Sequence, residues 1–463
     1  MFMHDLHLAL KSLRRNPVLS ALMVIAIASG IAASMITITL YHGRAGHPIW
    51  WKADKLYAVT LDPRDEDKDN AFTKYQRHPE YPPFQVTYQD AKALYRSDIP
   101  VRSVMMFRAQ RVVTPERSGP EGSADKPRQY VTRVTTADFF AMFDVPFLYG
   151  GGWSRADDES PAPVIVISRY ANQKLFGGVN SVGRSITVGE QQYRVIGVID
   201  AWLPQPRFYD LNNNSFDLPE DLFVPFGWLE ALQLPTAGNT NCVRSSASIG
   251  SFQQLLASDC VWLQFWAELP TADHLARYRR FVDNYTIDQK RFGRFPRKEL
   301  NNRVLDVDGW LALNDVIGDE SRIQVAVAVM FLLVCVLNTF GLMLAKFLKA
   351  APISGLRRAL GASRRDVMRQ HLIEVMIVGL LGGAVGLMLT FAGLRALRAF
   401  TFVRIPGMDD NPARVALQQS LTNVDFSMFA FALALSLLTG VLAGLYPAWR
   451  VGRLTPSTFL KTQ

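Results

Sequence analysis

Cysteine is scarce in this sequence, with three in 463 residues, which is too few for a disulfide scaffold. Histidine is scarce too: the seven present are scattered, and His78 and His274 stand alone, so no metal-binding spacing arises. No GxSxG elbow and no convincing nucleophile–base set occurs. These absences argue against an enzyme, and neither a cofactor nor a metal is expected. Charged residues make up only 20% of the chain against 49% hydrophobic. The apolar excess is concentrated in long runs, which places the chain outside the ordinary soluble class.

Four uncharged stretches are long enough to cross ~30 Å of hydrocarbon: Val18–Tyr41, Ile323–Ala345, Val375–Leu394 and Phe426–Trp449. A cleaved signal peptide would have an apolar core of only ~7–15 residues, so the first run is expected to be an uncleaved anchor. Lysine and arginine set the orientation. Lys11, Arg14 and Arg15 precede the first run, and Lys346, Lys349, Arg357, Arg358, Arg364, Arg365 and Arg369 fill the short link between the second and third. Arg450, Arg453 and Lys461 follow the fourth. Four spans put these three basic segments on one side, which is therefore cytoplasmic. They hold thirteen basic residues against Asp5 and Asp366, so the net charge of +9 leaves about −2 for the rest of the chain. The basic pI is a topology signal, and no nucleic-acid-binding face is implied.

The expected fold class is a membrane protein with four transmembrane α-helices and a large α+β extracytoplasmic domain inserted between helices 1 and 2. The segments are spans at 18–41, 323–345, 372–394 and 426–449, the domain at 42–322, a cytoplasmic link at 346–371, a short outer loop at 395–425 and a cytoplasmic tail at 450–463. At 1–17, Phe2, Leu6, Leu10 and Leu13 recur at helical spacing before Asn16-Pro17. That pattern reads as an amphipathic helix on the cytoplasmic leaflet, or as an extension of the first span.

Small residues recur every four positions within the spans: Ala26, Gly30 and Ser34, then Gly379 and Gly383 beside Gly382 and Gly386, then Gly440 and Gly444. Such rows let helix backbones approach closely. Central acids, lysines and histidines are missing from the spans, and the polar exceptions are Gln324, Asn338 and Glu374. An ion-coupled transporter normally carries ionisable groups at mid-membrane, so the energy source is expected elsewhere. Glu374 is expected to pair with a neighbouring arginine.

The inserted region alternates strand-like and helix-like stretches. Thr87-Tyr88-Gln89-Asp90 resembles a capping box opening a helix to about Arg96. Arg128–Thr135 and Gln191–Ile199 read as strands, as does Val164–Ile167 ahead of a helical Arg169–Phe176, and Thr271–Lys290 reads as helix. Residues 204–262, rich in Asn, Pro and Ser, give no clear pattern. Gly178–Ser185 nearly matches the phosphate loop GxxxxGK[ST], but Arg184 replaces its lysine and a strand follows where a helix is required. A tight turn between helix and strand is the better reading. Cys242 and Cys260 are natural partners for a disulfide if this region is extracytoplasmic, and otherwise two free thiols.

Three passages resemble the MacB/FtsX-like permeases of ABC transporters. The first is Thr136–Gly183, with Ala137-Asp138-Phe139-Phe140, Val145-Pro146, Gly150-Gly151, Val164–Ser168 and Leu175–Gly178 in the family's order. The second is Gly355–Asp366 and the third is Gly440–Arg453. The resemblance implies a permease subunit, not itself an enzyme, in the bacterial cytoplasmic membrane. It implies a separate cytoplasmic ATPase that docks on the link through Gly355, Arg357, Arg358, Gly361, Arg364 and Arg365. It further implies a second permease chain, the same or paralogous, and a periplasmic adaptor with an outer-membrane channel. In the family, ATP-driven closure is transmitted to the extracytoplasmic domains to drive export or extraction, and some members instead regulate a periplasmic partner. The family usually has an acid two places before Gly355, where this chain has Ile353 preceded by Pro352. That departure puts one ATPase contact in question.

Overall fold

The structure is a computed structural model and describes residues 9, 11–44, 46, 48–64, 80–114, 127–243, 249–316, 318–401 and most of 430–446. The chain divides into two compact units. One is Gly46–Val316, and the other holds the apolar segments before and after it.

The larger unit is built on a twelve-stranded sheet. Its strands are β1 (Leu56–Thr60), β2 (Val86–Thr87), β3 (Arg102–Thr114), β4 (Arg128–Thr135), β5 (Phe147–Gly150) and β6 (Val164–Ser168). They continue with β7 (Ser185–Val188), β8 (Gln191–Ile199), β9 (Leu222–Pro225), β10 (Asn241–Cys242), β11 (Cys260–Glu268) and β12 (Arg303–Asp306). The main path runs β12-β1-β11-β3-β4-β9-β6-β8-β5. Because β7 pairs with both β3 and β8, the strands β3-β4-β9-β6-β8-β7 close into a ring. The pairs β4·β9 and β6·β8 are parallel.

Strands covered on both faces read as continuous apolar runs, and β6 shows why. Its sequence VIVIS is β-branched at four successive positions, which suits a pleated backbone. Ile165 and Ile167 enter one hydrophobic core with Leu222, Val224 and Phe265. Val164 and Val166 enter a second core with Phe139, Phe223 and Trp266. The same alternation divides Tyr57 and Val59 from Leu56 and Ala58. One layer of strands thus separates two cores, and helices close their outer sides.

The helices start where local chemistry supplies caps. Thr87 accepts from Asp90 N at the head of Tyr88–Tyr95, and Ser168 accepts from Ala171 N at the head of Arg169–Phe176. Thr271 accepts from His274 N at the head of Ala272–Arg291. Each satisfies a backbone donor that the first turn leaves open. The near-match to a phosphate loop is a turn: Gly177 at φ +71° caps the preceding helix, Gly183 sits at φ +90°, and β7 follows. Positive φ favours glycine at both positions.

The smaller unit contains the helices Pro17–Arg44, Asp319–Ala359 and Arg364–Thr401. Among the described residues, three segments are long and apolar enough to cross a membrane: Pro17–Gly43, Arg322–Ile353 and Arg365–Leu397. A shorter apolar helix occupies Ala434–Tyr446. The ends of the expected fourth span, 426–449, lie outside the described residues, as do 402–425, the tail 450–463 and most of the N-terminal segment before Lys11. Residues 11–15 are helical.

Candidate functional site

In the membrane unit the small-residue rows divide by partner. A Cβ built on Gly30 would meet Cys335 Cβ at 3.0 Å and Leu332 Cδ1 at 3.0 Å, and Ser34 Oγ donates to Ala328 O at 3.2 Å. This face of the first helix, which begins at half-buried Ala26, therefore packs on Asp319–Ala359. Gly382 and Gly386 lie against the first helix, with built Cβ atoms 2.7 Å from Ile27 Cγ2 and 3.1 Å from Ile31 Cβ. Gly379 and Gly383 face the last helix, at 3.5 Å from Gly440 Cα and 2.5 Å from Ser436 Oγ. On Gly444 a Cβ would lie 2.2 Å from Val375 Cγ2. Four helical segments thus approach closely at these positions, and at Gly382, Gly383 and Gly444 a Cβ would clash.

Beneath these contacts sits a buried ionic cluster. Lys346 Nζ lies 2.5 Å from Glu374 Oε1, with side-chain exposures of 2% and 1%. Ser12 Oγ donates to the same carboxylate at 2.9 Å, and Lys346 Nζ donates to Ser20 Oγ at 3.2 Å. His371 Nδ1 lies 3.7 Å from Glu374 Oε2, and its ring rests 4.2 Å from that of Phe347. Among the described residues Glu374 pairs with a lysine, where the sequence suggested an arginine. Lys346, one of the basic residues that follow the second apolar run, is buried in the helix that continues to Ala359. A charge can be buried in a span when its counter-charge is presented by the neighbouring helix.

The link itself is a helical hairpin. The incoming helix passes through Pro352 and ends at Ala359, and Gly361 at φ +104° reverses the chain. Ser363 Oγ accepts from Asp366 N at 3.2 Å while Asp366 Oδ2 accepts from Ser363 N at 3.1 Å. This reciprocal pair starts the next helix. Ile353, Leu356 and Leu360 are all exposed, Leu360 at 80%, and their spacing puts them along one side of the helix end. Gly355 is half-buried and Arg365 is exposed. Arg357, Arg358 and Arg364 lie on the helices, and their side chains are outside the described residues.

The sheet unit holds a second cluster, in the stretch that gave no sequence pattern. Arg133 on β4 reaches Asp210 Oδ2 at 2.6 Å and also donates to Glu220. Arg207 Nη1 lies 3.4 Å from Glu220 Oε1, and its Nη2 donates to Asn213 O at 2.7 Å. Tyr209 OH donates to Glu220 Oε2 at 3.0 Å, and Gln264 Nε2 donates to Asp210 Oδ1 at 3.0 Å. The side chains of Arg133, Arg207, Asp210 and Glu220 are all fully buried. The guanidinium charges hold both carboxyls below their usual range, against a burial effect that pushes the other way. The cluster ties segment 207–220 to the sheet. An arginine in the buried half of a strand, Arg133 among Tyr130–Thr135 of β4, was the available sequence signal. Its partners lie seventy or more residues away.

Beside this cluster is a cavity of about 490 Å³ at the C-terminal ends of the parallel strands β6 and β8. Asp221 lines it, and burial raises its carboxyl to about 7, with Glu220 and Asp217 adding to the effect. Ser168 Oγ donates to Asp221 Oδ1 at 3.0 Å. An acid whose folded pKa exceeds its unfolded value weakens the fold progressively as pH rises between the two values, here from 3.8 to about 7. Asp221→Asn is therefore expected to melt with the parent near pH 4 and a few degrees above it past pH 7. Thermal melts across that range check the sign.

Cys242 and Cys260 are bonded to each other and stand directly opposite in the β10·β11 ladder. Cys335 is a buried free thiol.

Apolar helices of spanning length flanking a separately folded α+β domain define a multi-pass membrane protein with an extracytoplasmic domain. The profile of the MacB-like periplasmic core domain matches residues 20–258, and that of the FtsX-like permease C-terminal region matches residues 325–456. The chain belongs to the MacB/FtsX-like family of ABC transporter permeases and is a bacterial inner-membrane protein. It is 26% identical over 328 residues to the pyoverdine export ATP-binding/permease protein PvdT of Pseudomonas syringae pv. tomato, covering 70% of this chain and 42% of that one. It is 22% identical to the macrolide export ATP-binding/permease protein MacB of Pasteurella multocida, covering 74% and 46%, and 22% identical to MacB of Syntrophobacter fumaroxidans, covering 99% and 64%. The chain spans about half the length of these relatives. The periplasmic region of MacB from Actinobacillus actinomycetemcomitans aligns with 56% of this chain and 92% of its own at a TM-score of 0.33 and 11% identity.

Proposed function

We propose that this chain is the membrane subunit of an ABC exporter. In this reading it relays ATP-driven movement from a separate cytoplasmic ATPase to its extracytoplasmic domain, driving export or extraction of a substrate. The four-span topology and the segment limits drawn from the sequence belong to the same proposal. So do a second permease chain, the adaptor and the outer-membrane channel. The curated relatives are named for export and for ATP binding, and the nucleotide chemistry is assigned here to a partner chain.

The observation that carries this reading is the hairpin at 353–366. Exposed Ile353, Leu356 and Leu360 form a stripe beside a basic turn that includes Arg365. Two long helices leave the hairpin, each capped at the tip, so a push there acts on both. Apolar side chains docked in a groove bind by the area they remove from water, and arginines supply pairing with acids on the partner. The buried charges of the membrane unit pair with one another, as Lys346 does with Glu374. Such pairing suits helix locking better than an ion path.

The test is purification of the full chain in detergent with its candidate ATPase. The parent is expected to co-purify with the ATPase and stimulate its turnover. Leu356→Asp/Leu360→Asp is expected to lose that stimulation about tenfold or more, as truncating a central interface anchor costs ~2 kcal/mol or more. Both residues are exposed, so the melting temperature should be unchanged. Full stimulation by the double variant would remove the hairpin from the coupling role.

A further inference from the structure

The cavity beside Asp221 has no part in the relay described above, and its walls have the character of a ligand site. Its volume of about 490 Å³ lies within the ~300–1,000 Å³ range of small-molecule pockets. Its apolar lining includes Tyr170, Ile199, Trp202, Leu218 and Phe223. These walls are held in place before any ligand arrives. Trp202 stacks on Tyr209 at 5.4 Å and 15°, and Tyr209 is in turn tied to Glu220. Phe223 is fully buried on β9.

The charged groups on the lining differ in how far they are already engaged. Glu220 is taken up by Arg133 and Arg207, and Arg169 Nη1 pairs with Asp200 Oδ1 at 3.0 Å. Asp221 has no cation: Ser168 Oγ satisfies Oδ1, and Oδ2 has no hydrogen-bond partner among the described residues. An apolar chamber with one unpaired carboxylate oxygen favours a ligand with an apolar body and a single positive head.

We propose that this cavity binds a hydrophobic amine, with its aromatic or aliphatic body against Trp202 and Leu218 and its ammonium on Asp221 Oδ2. The site goes beyond the relay function and is tested by equilibrium binding, so failure of ATPase coupling leaves it standing. With a carboxyl raised to about 7, Asp221 is ionised in mildly alkaline buffer, where an alkylamine is still protonated.

The experiment is calorimetric titration of the full chain in detergent, at pH about 8, with 1-naphthylmethylamine and its neutral isostere 1-naphthylmethanol. The parent is expected to bind the amine about tenfold more tightly than the alcohol, the scale of a charge-assisted bond. Asp221→Asn keeps the bond from Ser168, and should bring the amine down to the affinity of the alcohol while leaving the alcohol unchanged. Leu218→Trp fills the chamber and should abolish saturable binding of both probes. It decides the location should the Asp221 variant fail to fold. No saturable binding by the parent, amine binding unchanged in Asp221→Asn, or amine binding that survives Leu218→Trp would each overturn the proposal.

Discussion

Arg133→Met is expected to destabilise the extracytoplasmic domain by about 3–5 kcal/mol, the cost of breaking a buried ion pair on one side. Two guanidinium groups, Arg133 and Arg207, balance two carboxylates, Asp210 and Glu220, at full burial. Removing Arg133 leaves Asp210 with neutral donors only, from Asn213 and Gln264. One carboxylate must then remain charged in an apolar surround or take up a proton. Either outcome loosens segment 207–220, since that segment carries three of the four charged groups. The double variant Arg133→Met/Asp210→Leu removes the orphaned charge along with its partner, and should recover much of the loss. Urea unfolding of the full chain in detergent, followed by tryptophan fluorescence, reads both. A single variant as stable as the parent, or a double variant less stable than the single, would contradict the assignment.

Gly382→Leu and Gly383→Leu are each expected to damage the membrane unit, and Gly341→Leu to leave it close to the parent. A Cβ on Gly382 would lie 2.7 Å from Ile27 Cγ2, and one on Gly383 would lie 2.5 Å from Ser436 Oγ, whereas nothing lies within 4 Å of a Cβ on Gly341. All three positions lie in apolar spans, so hydrophobicity and helix propensity change alike. Only the space differs. Forcing a side chain into a filled interface costs ~1–3 kcal/mol and sometimes more, and here two adjacent glycines serve two different neighbours. The two damaging variants should lower the temperature of aggregation in detergent by several degrees, with Gly341→Leu matching the parent. Equal behaviour of all three would mean that these helix contacts do not hold the unit together.

Much of the fold was legible because the signals were local. The β-branched run at Val164–Ile167, the capping threonine ahead of the helix Tyr88–Tyr95, and the uncharged runs each depend on residues close in sequence. Residues 204–262 were not legible. They hold β9, β10 and the start of β11, which are short or buried by strands far away in sequence. Of the site residues, the hairpin glycine Gly361 and the rows of small residues could be seen. Which row faces which helix could not, since Gly382 and Gly383 are adjacent in sequence yet pack on different partners. The partner of Lys346 was not legible for a similar reason. Its counter-charge, Glu374, sits on the next helix, and no local pattern joins the two.

By itself, then, the sequence determined the membrane class, the inserted α+β domain and the family, because hydrophobic length, basic residues and short motifs act within a few turns of chain. Only the tertiary structure decided the closed ring of strands, the buried quartet around Arg133, the Lys346–Glu374 pair and the cavity beside Asp221. Each of these depends on groups brought together across the fold, where burial makes an unpaired charge costly enough to select its partner.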